Sequence, residues 1–332
     1  MMRHLAVCVG GLVVAVRLGV AAEAPNNLVA TDAAAAGPDF AVQGEYLGTL
    51  TIDGSPERVG VQVIALGGGQ FRLIGCGGGL PGEGWNGYDT DEAAGKTEAG
   101  VTRFASETRT GLVQDGKLIV SARGEGEIGA LNRVERKSPT LGARPPAGAV
   151  VLFDGSSAAA FEGKGMTDDG LLREGQTSRE KFQSCRVHLE FQTPFMPDAR
   201  GQERGNSGCY LQGRYEVQIL DSFGLKGTHD ECGGIYSVGP PRVNMCYPPL
   251  SWQTYDITFT AAQFDPAGNK VKNAKMTVLH NGVLVHRDVE IDHTTTAAPN
   301  DKEGADPGPL FLQDHGSPVR YRNIWVVPQE AP

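Results

Sequence analysis

The sequence predicts an all-β protein in two parts, a smaller β-rich domain followed by a β-sandwich of two stacked sheets. Three observations carry this. Among 332 residues, Gly (46) and Pro (20) are abundant, while long apolar helical periods are scarce, the texture of short strands joined by tight turns. Several segments alternate apolar and polar residues with period two, such as Tyr215-Glu216-Val217-Gln218-Ile219 and Ala274 to His280. Asn281-Gly282 separates two of them, and Asn-Gly readily accepts the positive φ angles of a two-residue hairpin. With 40% hydrophobic and 21% charged residues, the chain can bury a substantial core, and its length suits two domains.

The first residues read as an export signal. Arg3 and His4 precede an apolar stretch from Leu5 to Val20, and Val20-Ala21-Ala22 offers a small-residue site before Glu23. Cleavage after Ala22 is expected, which makes the protein secreted or periplasmic. The stretch is too short, and too interrupted by Arg17, for a stable membrane span. Leu5-Ala6-Val7-Cys8 is a poor lipoprotein box, because Val7 is bulky and the preceding apolar run very short. Residues 23–39, Ala-rich with Pro25, Gly37 and Pro38, read as a flexible leader.

Residues 40–137 form the β-rich accessory domain, with strands expected over 44–50, 59–66, 70–74, 101–104 and 117–120. The glycine-rich stretch from Cys76 to Gly87 lacks the Lys-Ser/Thr end of a phosphate-binding loop and any following helix signal. It reads as a loop exposing Trp85, whose indole either stacks on a sugar or packs on the neighbouring domain. Pro-rich sequence from Ser138 to Gly148 marks an interdomain linker. The sandwich spans 149–328, with strands expected over 150–153, 185–191, 215–220, 255–259, 274–280 and 283–286.

A net charge of −9, with no run of Lys or Arg interleaved with aromatics, repels polyanions, so nucleic acid is not an expected partner. Neutral sugars are indifferent to that charge. Cleavage leaves five cysteines, Cys76, Cys185, Cys209, Cys232 and Cys246. Cys232 and Cys246 flank a compact Gly/Pro-rich loop and are the expected disulfide, with at least one thiol left over. No C-x-x-C pair suggests zinc. His229-Asp230-Glu231 cannot aim consecutive side chains at one centre and reads as an exposed polar loop. A divalent cation is therefore an open alternative, and no cofactor is inferred. His280 and His286, flanking the Asn-Gly turn, read as sheet-surface residues.

The segment from Asn206 to Asp221 is the richest in chemistry. As a strand, its second half places Arg214, Glu216 and Gln218 on one face and Tyr215, Val217 and Ile219 on the other. The spacing E-x-Q-x-x-D is similar to the E-x-D-x-x-E strand of laminarinase- and lichenase-like glycosidases, where a bulge brings the third acid onto the face of the first two. Here the middle position is an amide and the last a shorter carboxylate, so Glu216 and Asp221 would be the pair that a retaining glycosidase holds about 5 Å apart. A second constellation runs from Gly308 to Trp325. Gln313 and His315 share strand parity, His transfers protons near neutral pH, and Arg322 and Asn323 add hydrogen-bonding groups.

Asn206-Ser207-Gly208, Tyr215 to Asp221, Cys232-Gly233-Gly234-Ile235-Tyr236, Trp252 to Asp256, Asn281-Gly282 and Gly308 to Trp325, in this order, resemble the 3-keto-disaccharide hydrolase domain family. The resemblance covers roughly residues 149–328 and implies a concanavalin A-like lectin/glucanase sandwich, or jelly roll. The first domain resembles an accompanying domain of similar bacterial proteins, and no activity carries over to it. The resemblance implies a carbohydrate substrate, a glycoside oxidised at C3 whose ketone acidifies the C2 hydrogen. A base removes that hydrogen, an acid assists departure at C1, and water adds afterwards. Glu216 and His315 are then the expected proton-transfer residues, with Asp221 for orientation or an ion. Asn206, Arg214, Gln218, Gln313, Arg322 and Asn323 would hold hydroxyls or the enolate. The rival readings are a noncatalytic carbohydrate-binding module and a conventional β-glucanase using Glu216 and Asp221.

Overall fold

The structure, a computed structural model, describes residues 27–329; the expected export signal and Cys8 lie outside them. The first domain is a closed antiparallel barrel of eight strands in sequence order: β1 Gly44–Ile52, β2 Ser55–Gly67, β3 Gln70–Gly77, β4 Thr90–Glu98, β5 Val101–Ala105, β6 Arg109–Gln114, β7 Lys117–Ala122 and β8 Gly126–Val134. Strand β8 returns to β1 with Gly48 opposite Leu131, which leaves no open sheet edge. Tyr46, Leu50, Val61, Phe71, Phe104 and Leu118 are among the residues that fill its interior. Strand β4 has no apolar run for a physical reason. Its inward positions carry small groups, and a Cβ at Gly95 would collide with the ring of Phe104.

The described part of the leader is not loose. Ala30 and Phe195 exchange backbone hydrogen bonds of 3.0 and 2.8 Å, and Ala36 is fully buried. A short helix, α1 Pro38–Val42, follows. The alanines that looked like a coreless composition are small enough to let this segment lie close against Phe195 and the barrel end.

The second domain stacks two antiparallel sheets on one core, as a jelly-roll sandwich does. Its strands are β9 Val150–Phe153, β10 Phe161–Gly163, β11 Leu172–Arg173, β12 Gln176–Phe182, β13 Cys185–Gln192, β14 Ser207–Leu211, β15 Tyr215–Ile219, β16 Gln253–Thr260, β17 Gln263–Phe264, β18 Lys270–Lys272, β19 Ala274–His280, β20 Val283–Ile291, β21 Gly308–Leu312 and β22 Arg320–Pro328. One sheet runs β10-β12-β21-β14-β15; the other runs β11-β22-β13-β16-β19-β20, with β9 also on β22. Asn281 and Gly282 take φ of 50° and 77°, the turn geometry expected between β19 and β20.

Barrel and sandwich share apolar packing. Ile64, Ile74 and Cys76 join the sandwich core, and Trp85 packs against it while its indole N–H donates to Asp89 O at 3.0 Å. Of the two roles open to Trp85, the structure shows the domain contact. Arg136 is held between Glu45, at 2.5 Å, and the ring of Tyr247.

The linker straps the sandwich instead of spacing it. Ser138 Oγ lies 2.6 Å from Thr254 Oγ1, Thr140 Oγ1 donates to Asp256 Oδ2 at 2.7 Å, and Gly142 N–H donates to Glu190 Oε1 at 2.6 Å. Beneath it His188, fully buried, lies 2.7 Å from Asp256 and stacks on Trp325.

Two further expectations are corrected. All five described cysteines are free, buried thiols. Cys232 Sγ lies 3.3 Å from the Tyr255 hydroxyl and Cys246 Sγ donates to Leu220 O at 3.4 Å, and the two thiols neighbour each other without being joined. His280 and His286 are buried, not surface residues, because the segment around residues 233–253 covers them. His280 Nε2 meets Gln253 Oε1 at 3.0 Å and His286 Nε2 meets Gly233 O at 2.7 Å.

Candidate active site

Strands β14 and β15 form a hairpin in which Tyr210 faces Glu216 and Gly208 faces Gln218. On one side β21 brings Phe311 opposite Tyr210. On the other, residues 233–236 run along β15: Gly233 N–H donates to Gln218 O, Gln218 N–H to Gly234 O, and Tyr236 N–H to Glu216 O, at 3.0, 2.9 and 3.2 Å. Phe311, Tyr210, Glu216 and Tyr236 therefore form one row across the sheet, on the face pointing away from the core. The intervening side chains, Cys209, Leu211, Tyr215, Val217 and Ile219, turn inward.

Glu216 is 2% exposed. Burial pushes its carboxyl up to about 8, against a weaker opposing effect of the nearby Tyr210 hydroxyl. Its Oε1 is buried without a protein partner. A Cβ at Gly208 would collide with that oxygen, so the carboxyl lies over the bare backbone of β14. The Tyr210 hydroxyl donates to Thr296 O at 3.1 Å and accepts from Gln313 Nε2 at 3.2 Å. Tyr236, half-buried, has its phenol raised by burial and by the carboxylates of Asp230 and Glu216. The His229 ring stands edge-on to it at 5.8 Å and accepts Ser237 N–H on Nδ1 at 3.2 Å. In the neutral ring that contact leaves Nε2 carrying the proton.

An amide cluster adjoins this row. Gln202 Oε1 accepts from Asn206 at 3.0 Å and from Gln218 at 3.1 Å, and Gln202 itself donates to Asp230 O at 2.8 Å. Asn206 Oδ1 is buried without a protein partner. Two buried acceptors, Glu216 Oε1 and Asn206 Oδ1, are thus left without a protein donor.

The other expected site residues lie elsewhere. Strand β21 ends at Leu312, so parity does not carry His315 onto the sheet face; it stands exposed in a turn closed by Gly316 N–H donating to Asp314 at 3.0 Å. Asp221 is buried and committed to Arg204, 2.6 Å away, whose guanidinium also reaches Ala65 O of the barrel. Arg214 spends its donors on Gln212 Oε1 and on the carbonyls of Lys302, Gly304 and Asp306, pinning that loop. Arg322 and Asn323 are across the core on the other sheet, bound to Glu190 at 2.7 and 2.9 Å. The structure therefore gathers Glu216, Gln218, Gln313 and Asn206, and does not bring Arg322 or Asn323 to them.

Sequence reasoning missed Tyr210, Gln202 and Tyr236, and read His229 only as loop. Gly213 carried the missing signal. As the turn of a hairpin it places Tyr210 opposite Glu216. Among the described residues no group of three or more His, Cys, Asp and Glu side chains is placed to hold a metal ion, and no helix is long and apolar enough to cross a membrane.

Residues 148–327 match the family described as 3-keto-alpha-glucoside-1,2-lyase-like domain. Two crystal structures from Parabacteroides distasonis ATCC 8503, each named "putative glycosyl hydrolase", are also similar. One is 33% identical, with 55% of this chain and 85% of that chain covered and a TM-score of 0.49. The other is 17% identical, with 55% and 95% covered and a TM-score of 0.40. No curated protein matches the chain.

Proposed function

The chain belongs to the 3-keto-alpha-glucoside-1,2-lyase-like domain family, and on that premise we propose that it cleaves glycosides already oxidised at C3, with Glu216 as the proton donor. The observation that supports this reading is the placement of the Glu216 carboxyl, buried beside Tyr210 over the bare backbone at Gly208, where burial pushes its pKa up to about 8. A neutral carboxylic acid in an apolar setting is suited to protonating a departing oxygen.

In this reading a base takes the C2 proton, the electron pair moves through C2 toward C1 and the C3 carbonyl, and the C1–O bond breaks as Glu216 protonates the leaving oxygen. Water then adds to the unsaturated keto sugar. His229 Nε2–H and the amides of Gln218 and Gln313 are donors toward the enolate oxygen, and Asn206 Oδ1 accepts a hydroxyl. Asp221 fixes the end of the strand through Arg204 and touches no substrate. That commitment favours elimination over a covalent glucanase mechanism, which would need Asp221 free beside Glu216. Export by the N-terminal segment, with the mature chain beginning at Glu23, belongs to the same reading.

Incubation with a glucoside and with its 3-keto counterpart in deuterated water tests it. Release from the keto substrate alone, with deuterium entering C2, is expected. Release from the unoxidised glucoside would make the protein a glucanase, and binding without turnover would make it a lectin-like module.

A further inference from the structure

Barrel and sandwich approach each other closely at two points: a Cβ at Gly224 would collide with Ile64, and one at Gly82 with Met245. Elsewhere they part around a cleft of about 640 Å³ on the outer side of the sheet opposite the one that carries Glu216. Its size lies within the range typical of small-molecule sites, and domain junctions are common places for them.

The cleft has a built platform. Trp252, half-buried, is covered by the Arg322 guanidinium, whose carbon lies 4.0 Å from the ring centroid. Glu190 holds Arg322 at 2.7 Å, so indole and guanidinium are fixed before any ligand arrives. Four Lys and Arg side chains line the cleft against four Asp and Glu, which gives it no net field to select an ion. An aromatic plane surrounded by charges of both signs suits a neutral ligand dense in hydroxyls.

We propose that this cleft is a second carbohydrate site, which holds a neutral oligosaccharide against Trp252 and Arg322 while chemistry proceeds at Glu216 on the other face. The inference rests on the carbohydrate class of the family and not on the mechanism assigned to Glu216.

Calorimetric titration of the full chain with maltohexaose, cellohexaose and laminarihexaose, with hexagalacturonate as the charged comparator, tests it. At least one neutral hexaose is expected to bind wild type and Glu216→Gln equally and Trp252→Ala at least about tenfold more weakly. Turnover of a small 3-keto-glucoside by Trp252→Ala should stay within about twofold of wild type. If circular dichroism shows that Trp252→Ala does not fold, Asp169→Trp, at an exposed lining position, blocks the cleft and is expected to give the same loss. No binding of any neutral hexaose, binding unchanged in the cleft variants, loss in Glu216→Gln alone, or tighter binding of hexagalacturonate would each overturn the proposal. Failure of turnover with binding intact would count against the Glu216 mechanism only.

Discussion

The carboxyl of Glu216 occupies the space that a side chain at Gly208 would fill, on the neighbouring strand of the hairpin. Gly208→Ala therefore has a specific consequence. The added methyl group must push the carboxyl aside while the strand pairing survives. Turnover of a 3-keto-glucoside is expected to fall by about 10- to 100-fold, with the melting temperature lowered by no more than about 8 °C. An unchanged rate would show that this placement does not matter to the reaction.

Glu216 also makes stability depend on pH. Its folded pKa, about 8, lies above the ordinary 4.5. Its contribution is thus fully present below about 4.5 and is lost as pH rises through about 8. Glu216→Gln removes this dependence, so the variant should gain stability relative to wild type between pH 5 and 9, by about 5 kcal/mol at most. Denaturant titrations across that range check it; parallel curves for the two proteins would mean that the carboxyl is not held neutral.

The network under the linker has the opposite acid limb. Burial disfavours charge on both His188 and Glu190. For His188, hydrogen bonds to Asp256 and Glu190 outweigh it and raise the pKa. For Glu190, hydrogen bonds from His188, Asn323, Arg322 and Gly142 outweigh it and hold the carboxyl at about 2. The Glu190 contribution is present above about 4.5 and lost as pH falls through about 2; that of His188 is present below about 6.5 and lost as pH rises through its raised folded value. His188→Gln should lower the melting temperature most between about pH 4.5 and 6.5, and a loss that does not vary with pH would argue that His188 stays uncharged.

The buried thiols give a chemical test. Alkylation of the unfolded, unreduced protein should label all five cysteines between residues 27 and 329. Labelling of three, with full labelling only after reduction, would restore the expected Cys232–Cys246 disulfide.

Where side-chain periodicity decides the structure, the sequence was informative. Period two in residues 215–219 and the Asn281-Gly282 turn specified strand, hairpin and inward face. The strand β4 was illegible because its inward side chains are small to make room for Phe104, so no apolar run marks it. Within the site, Glu216 and Gln218 were legible from their own strand. Tyr210 and Tyr236 were not, because their roles depend on register between segments. Arg322 and Asn323 were placed wrongly for a related reason: proximity in sequence to Gln313 and His315 says nothing about which sheet the following strand joins.

The most direct measurement is kcat/KM for a 3-keto-glucoside against pH, in wild type and Glu216→Gln. With Glu216 as the acid, wild-type activity should fall as pH rises through about 8, and the variant should lose about 100- to 10,000-fold at neutral pH with that limb gone. A variant that keeps both its rate and its alkaline limb would contradict the account.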